Sequence, residues 1–244
     1  MIPTRRLRPI ALGLAIAGAW LSAAQAAADN APGPGRRELW LVRHGAYDEA
    51  DPRDELVGRG LVPIGVAQAR LLGARLRALP FAFDAVLASP LTRARETAAV
   101  LASDLRLPVE PLADLAECTP PTRRLDVMEG EKLEDLAACR AQLERLAAVL
   151  LRPAPAGERR ELVVCHGNVI RWLVTRALEV DPEAWLVLSV GHASLTRIVV
   201  EEGGRVRVVA VGDTGHLPFN LQTGASGDAD RNLALPAPVP AAGR

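Results

Sequence analysis

Glu38-Leu39-Trp40-Leu41-Val42-Arg43-His44-Gly45 is an apolar run that stops abruptly on Arg, His and Gly. Residues 38–43 are too few for a helix and show no polar alternation, so they read as a strand buried on both faces. Such strands belong to parallel sheets covered by helices on either side. The same grammar recurs downstream. Residues 85–88 (AVLA) and 161–165 (ELVVC) read as further buried strands. Helices fall between them. Residues 63–79 carry Ile64, Ala67, Leu71, Leu72 and Leu76 near helical period. A second helix starts at Ser89-Pro90, with Pro in its first turn, and runs to about Leu105. Residues 131–151 form a long amphipathic helix with Leu133, Leu136, Leu143, Leu146 and Leu150 on its apolar face. A helix over about 168–178 follows the 161–165 strand directly. Residues 194–201 and 205–211 form a hairpin across Gly203-Gly204. The predicted fold is α/β, with three α/β/α layers and a mostly parallel central sheet.

In sheets of this kind ligands bind beyond the carboxyl ends of the strands. Three strand ends carry polar groups here: Arg43-His44-Gly45, Ser89-Pro90 and His166-Gly167. The order and spacing of four segments resemble the histidine phosphatase superfamily, which includes the cofactor-dependent phosphoglycerate mutases. They are Arg43-His44-Gly45, Ser89 to Ala98 (SPLTRARETA), Glu117 in a Pro-rich loop, and Cys165-His166-Gly167-Asn168. The resemblance spans about residues 38–221, so the expected fold is phosphoglycerate mutase-like. Residues 165–172 (CHGNVIRW), Arg176-Ala177-Leu178 and Gly212-Asp213-Thr214-Gly215 are similar to the mitochondrial Ser/Thr-protein phosphatases of the phosphoglycerate mutase family.

The resemblance implies a phosphomonoesterase working through a phosphohistidine on His44. The residue types suit that chemistry. A phosphomonoester carries nearly two negative charges at neutral pH. Arg43 and Arg93 can each offer paired planar N–H donors, and His166, if protonated, adds a third cation. Positioning and charge stabilisation dominate phosphoryl transfer. Gly45 and Gly167 would let the backbone approach the phosphate. Glu117 is the expected general acid, then base, with Asp114 as rival. Asn168 is read as a substrate contact or an N-cap, and His192 as a substrate contact. Tyr47 and Asp48 are candidates for the entrance. Arg95 and His216 read as surface, Thr97 as packing or capping within its helix, and Trp40, Trp172 and Trp185 as core.

Composition narrows the partners. The 244 residues include 49% hydrophobic and balance 29 basic against 29 acidic side chains. No whole-chain field points to nucleic acid. Lys132 is the single lysine; the arginines are scattered and aromatics amount to 3%, which is no nucleic-acid stripe. Four histidines without metal-ligand spacing imply no metal, and no cofactor is expected. The expected partner is a phosphomonoester, either a small molecule or a phosphopeptide. A homodimer is suggested by analogy with the family.

The N-terminus has a basic start (Arg5, Arg6, Arg8), an apolar stretch over 10–21 and Ala24-Gln25-Ala26 as a cleavage site. Residues 1–26 are therefore expected to be a signal peptide of an exported, periplasmic protein, leaving no stable membrane span. The alternative is an uncleaved inner-membrane anchor. Residues 27–37 read as linker, 38–222 as the phosphatase domain and 223–244 as a disordered tail. Cys118, Cys139 and Cys165 are odd in number and widely spaced, which argues against a disulfide framework. Cys165 reads as a buried hydrophobe. Two other functions compete with hydrolysis: a mutase-type phosphotransferase, and a non-catalytic phospho-ligand module. Ala46 after Gly45 and the short central region disfavour the first. Retention of all four main site residues disfavours the second.

Overall fold

The opening run is β1 (Arg37–Arg43), in which every residue but Arg43 is buried. The computed structural model describes residues 33–53 and 57–224. The expected signal peptide, Trp20 and all but the first two residues of the expected tail lie outside them.

Chain order continues with α1 (Pro63–Arg77), β2 (Ala85–Ala88), α2 (Thr92–Leu105) and β3 (Val109–Pro111). A 3-10 turn (Ala113–Leu115) and the short α3 (Leu125–Met128) precede α4 (Leu133–Leu150). Then come β4 (Arg159–Cys165), α5 (Gly167–Ala177), a 3-10 turn (Pro182–Val187), β5 (Leu195–Val200) and β6 (Val206–Asp213). The sheet runs β3-β2-β4-β1-β5-β6. β3, β2, β4 and β1 are mutually parallel; β5 pairs antiparallel with β1, and β6 with β5. The fold is thus the expected mostly parallel α/β sheet, closed at one edge by the hairpin.

Side chains alternate across the central strands into two cores. Trp40, Val42, Leu162 and Val164 face α1 and α2 through Leu72, Leu76, Ala98 and Leu101. Leu39, Leu41, Val163 and Cys165 face α4 and α5 through Leu143, Leu146, Leu150 and Trp172. Each fully buried Leu contributes about 2 to 3 kcal/mol, so β1 and β4, buried on both faces, hold their register strongly. Trp40, Trp172 and Trp185 are core residues, as expected.

Several expectations are corrected. α2 starts at Thr92, so Pro90 stands before the helix rather than in its first turn. Leu133 is 83% exposed, because it lies in the first turn of α4, ahead of the turns that reach the sheet. β3 was not foreseen. Arg37 belongs to β1 rather than a linker: its buried guanidinium pairs with Glu161 at 3.3 Å and donates to Val149 O. Gly35 already pairs with Ala154. Cys118 and Cys139 form a disulfide, leaving Cys165 as the free, buried thiol. The fold places residues 118 and 139 side by side although 21 residues separate them, a proximity that spacing did not reveal.

Candidate active site

β1 and β4 are neighbours, so their carboxyl ends deliver Arg43-His44 and Cys165-His166 to one spot. His44 N–H donates to Cys165 O at 2.9 Å, extending the ladder by one bond. The chain then turns sharply. A Cβ on Gly45 would lie 2.6 Å from Gly65 O, so this position needs glycine because α1 packs on it. That reason differs from the expected approach of phosphate. The turn is tied down by Gly45 N–H to Thr97 Oγ1 (3.0 Å) and Ala46 N–H to Gln68 Oε1 (2.8 Å). Thr97 therefore does more than pack within its helix.

His44 is 2% exposed. Its Nδ1 lies 2.8 Å from Gly45 O, which only a protonated nitrogen tolerates, so Nδ1 carries the hydrogen and Nε2 the lone pair. Arg93 Nε donates to that Nε2 at 3.2 Å. Burial holds the His44 pKa well below its ordinary value, and His166, Arg43, His192 and Arg93 add to the effect. The lowered pKa favours the neutral ring at neutral pH.

The expected residues gather around it. The His166 and His192 rings lie 5.0 and 5.4 Å from that of His44, and Tyr47 lies 5.3 Å away, edge on. The Arg93 guanidinium sits 5.0 Å over the Tyr47 ring. Arg43 Nη1 donates to Val190 O (2.7 Å) and Gly224 O (2.6 Å), while its buried Nε has no partner among the described residues. Burial lowers the Arg43 pKa to about 10, with Glu117 opposing, so the charge persists at neutral pH. His166 is fully buried, with Nε2 2.7 Å from Ser89 Oγ and Nδ1 without a hydrogen-bond partner among the described residues. Burial, then Arg93 and Arg43, push its pKa well down. That shift favours the neutral ring over the third cation that protonation would supply. His192 Nδ1 meets Thr223 Oγ1 at 2.9 Å, and burial with Arg43 and Arg93 lowers its pKa to about 3. The next residue, Ala193, is held at φ 51° by its N–H bonding the carbonyls of Arg43 and His44, a strained conformation for a non-glycine.

Glu117 follows the Ala113–Leu115 turn. Its Oε2 lies 3.9 Å from His166 Nδ1, and Oε1 is enclosed without a hydrogen-bond partner among the described residues. Burial pushes its pKa up to about 7, against the pull of Arg43, Arg93 and Arg171. Asp114 points elsewhere and pairs with Arg145 at 2.9 Å. Glu117 lines a cleft of about 330 Å³ together with Tyr47, Arg59, Leu91, Arg93, Cys118 and Thr119.

Other expectations shift. Asn168 is not the N-cap of α5, a place taken by His166. Its Nδ2 donates to Cys118 O (3.1 Å) and its Oδ1 accepts from Arg171 (3.3 Å), so it braces the Glu117 loop. A Cβ on Gly167 would meet Arg43 Nε at 3.5 Å, an ordinary contact within the protein. Asp48 shapes a turn through Ala50 N–H. Arg95 is exposed, and His216 sits beside Arg75, away from the cleft. Thr223 and Gly224, assigned to the tail, pack on the site through His192 and Arg43. Ser89, Gln68, Arg171 and Thr223 were not assigned to the site. A polar Gln68 on the buried side of α1 was the available signal. Among the described residues no cluster of His, Cys, Asp and Glu could hold a metal ion.

A family model described as the histidine phosphatase superfamily (branch 1) matches residues 39–214. The chain is 36% identical over 197 residues to the mitochondrial serine/threonine-protein phosphatase Pgam5 of Caenorhabditis elegans, covering 75% of this chain and 65% of that protein. It is 34% identical over 211 residues to Pgam5 of Drosophila persimilis, covering 81% and 70%. The chain thus spans about two thirds of the length of these relatives. The fold is shared with the alpha-ribazole phosphatase of Shigella flexneri (TM-score 0.59, 22% identity, 72% of this chain and 96% of that one). The expected periplasmic location is corrected, because the curated relatives are mitochondrial proteins by name. Among the described residues no helix is long and apolar enough to cross a membrane.

Proposed function

The chain belongs to branch 1 of the histidine phosphatase superfamily, and on that membership we propose that it hydrolyses phosphomonoesters through a phosphohistidine at His44 Nε2. The observation that carries this reading is the tautomer. Gly45 O fixes the hydrogen on Nδ1 and leaves the Nε2 lone pair beside Arg93.

The dianion enters from the cleft and draws Arg93 off Nε2, so that its N–H groups turn to the phosphoryl oxygens. Arg43 offers its remaining N–H edge, and Nε gains the acceptor it lacks in the free site. Nε2 attacks phosphorus, the P–O bond to the leaving group breaks, and protonated Glu117 gives its proton to that oxygen. The ring becomes N-phosphorylated, with Nδ1–H still bonded to Gly45 O. Glu117, now a carboxylate, takes a proton from water as its oxygen attacks phosphorus. The P–N bond breaks, and His44 and Glu117 return to their starting states. His166 and His192 supply N–H donors to the phosphoryl oxygens, and bound dianion raises the basicity of both rings.

The relatives are named as serine/threonine-protein phosphatases. Phosphoserine and phosphothreonine peptides are therefore the first substrates to try, with small phosphorylated metabolites beside them. Hydrolysis of p-nitrophenyl phosphate with EDTA present tests the reading. Wild type turns over, and after an alkaline quench its mass includes one added PO₃H group on His44. Turnover that survives His44→Ala, or a wild type that binds phosphate without turning substrate over, defeats it.

A further inference from the structure

The disulfide stands next to the proposed acid, and its place there is informative. Among the described residues, 117–122 make no main-chain to main-chain hydrogen bond, so no sheet or helix fixes this loop. Its neighbours are anchored: Gln142 Nε2 donates to Ala116 O at 2.8 Å, and Trp185 Nε1 to Pro121 O at 3.1 Å. Between those points Asn168 Nδ2 holds Cys118 O, and the one covalent tie runs from Cys118 to Cys139 on α4. Cys139 is 3% exposed in the core packed by Leu143 and Leu146, a rigid base. Cys118 lines the same cleft as Glu117.

We propose that the Cys118–Cys139 disulfide is a positioning cross-link for Glu117, making turnover sensitive to dithiol reductants. The inference rests on the acid role given to Glu117. A dithiol reaching the cleft attacks the Cys118–Cys139 bond. Two electrons pass to the protein, both cysteines become thiols, and the reductant leaves as its own disulfide. Cys165 takes no part, since it is fully buried and burial raises its thiol pKa well above the ordinary value, leaving little thiolate to exchange. Once released, the loop keeps the Asn168 bonds at Cys118 and at the Glu117 carboxyl, and that carboxyl, already 26% exposed, opens further to water. The charged groups facing that carboxyl are Arg43 from β1, Arg93 from α2 and Arg171 from α5, with neutral His166 at the end of β4. All three guanidiniums favour the carboxylate. With the burial that opposes them relieved, the acid loses its proton at lower pH.

The test compares the oxidised full chain with the same protein after dithiothreitol, using an alkyl phosphomonoester and thiol counts under denaturing conditions. Reduction takes the count from one thiol to three. Then kcat falls about tenfold, a fraction of what a positioned general acid supplies, KM stays put, and the alkaline limb of the kcat profile moves to lower pH. Cys118→Ala/Cys139→Ala reproduces the reduced enzyme and ignores dithiothreitol. Glu117→Gln is slow from the start and gains no further loss on reduction. A count of three before reduction overturns the proposal. So does a variant with a lower melting temperature whose kcat and alkaline limb, read well below that temperature, match wild type. A dithiothreitol effect that persists in Glu117→Gln also sinks it while leaving the phosphohistidine intact; only survival of activity in His44→Ala strikes both.

Discussion

The two halves of this site are held by different means. His44 and His166 sit on the ends of adjacent parallel strands, and the His44 main chain is part of the ladder. Glu117 sits on a loop outside any ladder, located by side-chain bonds and a disulfide. A nucleophile must meet phosphorus within a few tenths of an ångström and in line, and strand ends supply that rigidity. An acid must follow a leaving group whose shape varies with substrate, and a pinned loop can be re-cut without disturbing the sheet.

The sharpest way to break this contrast is His44→Ala. Loss of the covalent route should lower kcat by roughly 10⁴-fold or more, with folding intact by circular dichroism. Residual turnover near wild type would dissolve the distinction altogether. Glu117→Gln should cost roughly 10²-fold in kcat on alkyl phosphates, and less on p-nitrophenyl phosphate, whose leaving oxygen needs little help. The wild-type profile should be full below pH 7 and fall as pH rises through about 7, because the acid works only while protonated. That limb should vanish in the glutamine variant. Ser89→Ala probes the rigid half from behind. It strips His166 Nε2 of its partner and should cost about 1 to 3 kcal/mol in urea melts, with a smaller fall in kcat. Asp114→Asn should do least: it loosens a surface pair with Arg145, changes stability by under about 0.5 kcal/mol and leaves the alkaline limb where it was. A shift of that limb would reinstate Asp114 as the acid.

The same contrast governs what can be read from sequence. β1 and β4 are legible because residues buried on both faces leave an unbroken apolar run, and the proposed catalytic histidines sit where each run stops. β3 is three residues long and pairs only with β2, too little pattern to register. Leu133 follows the helical period of its neighbours, yet projects beyond the sheet into solvent. Glu117 and Asp114 are three residues apart in an irregular loop, so only the direction of their side chains separates them. Thr223 and Gly224 carry no signal of their own; they matter because the chain returns across His192 and Arg43. The cysteine pair is hidden for the same reason, since its proximity is a product of α4 packing beside the loop.

The contact of Arg93 Nε with His44 Nε2 has a consequence of its own. At rest the proposed attacking nitrogen is engaged by a cation that itself lies over the Tyr47 ring. An uncharged alkylating or acylating reagent has nothing with which to lure that arginine aside and meets a shuttered imidazole. A phosphate ester brings two negative charges and opens the shutter by its own attraction. On the proposed mechanism, selectivity against stray electrophiles is exercised at the threshold, before any bond is made.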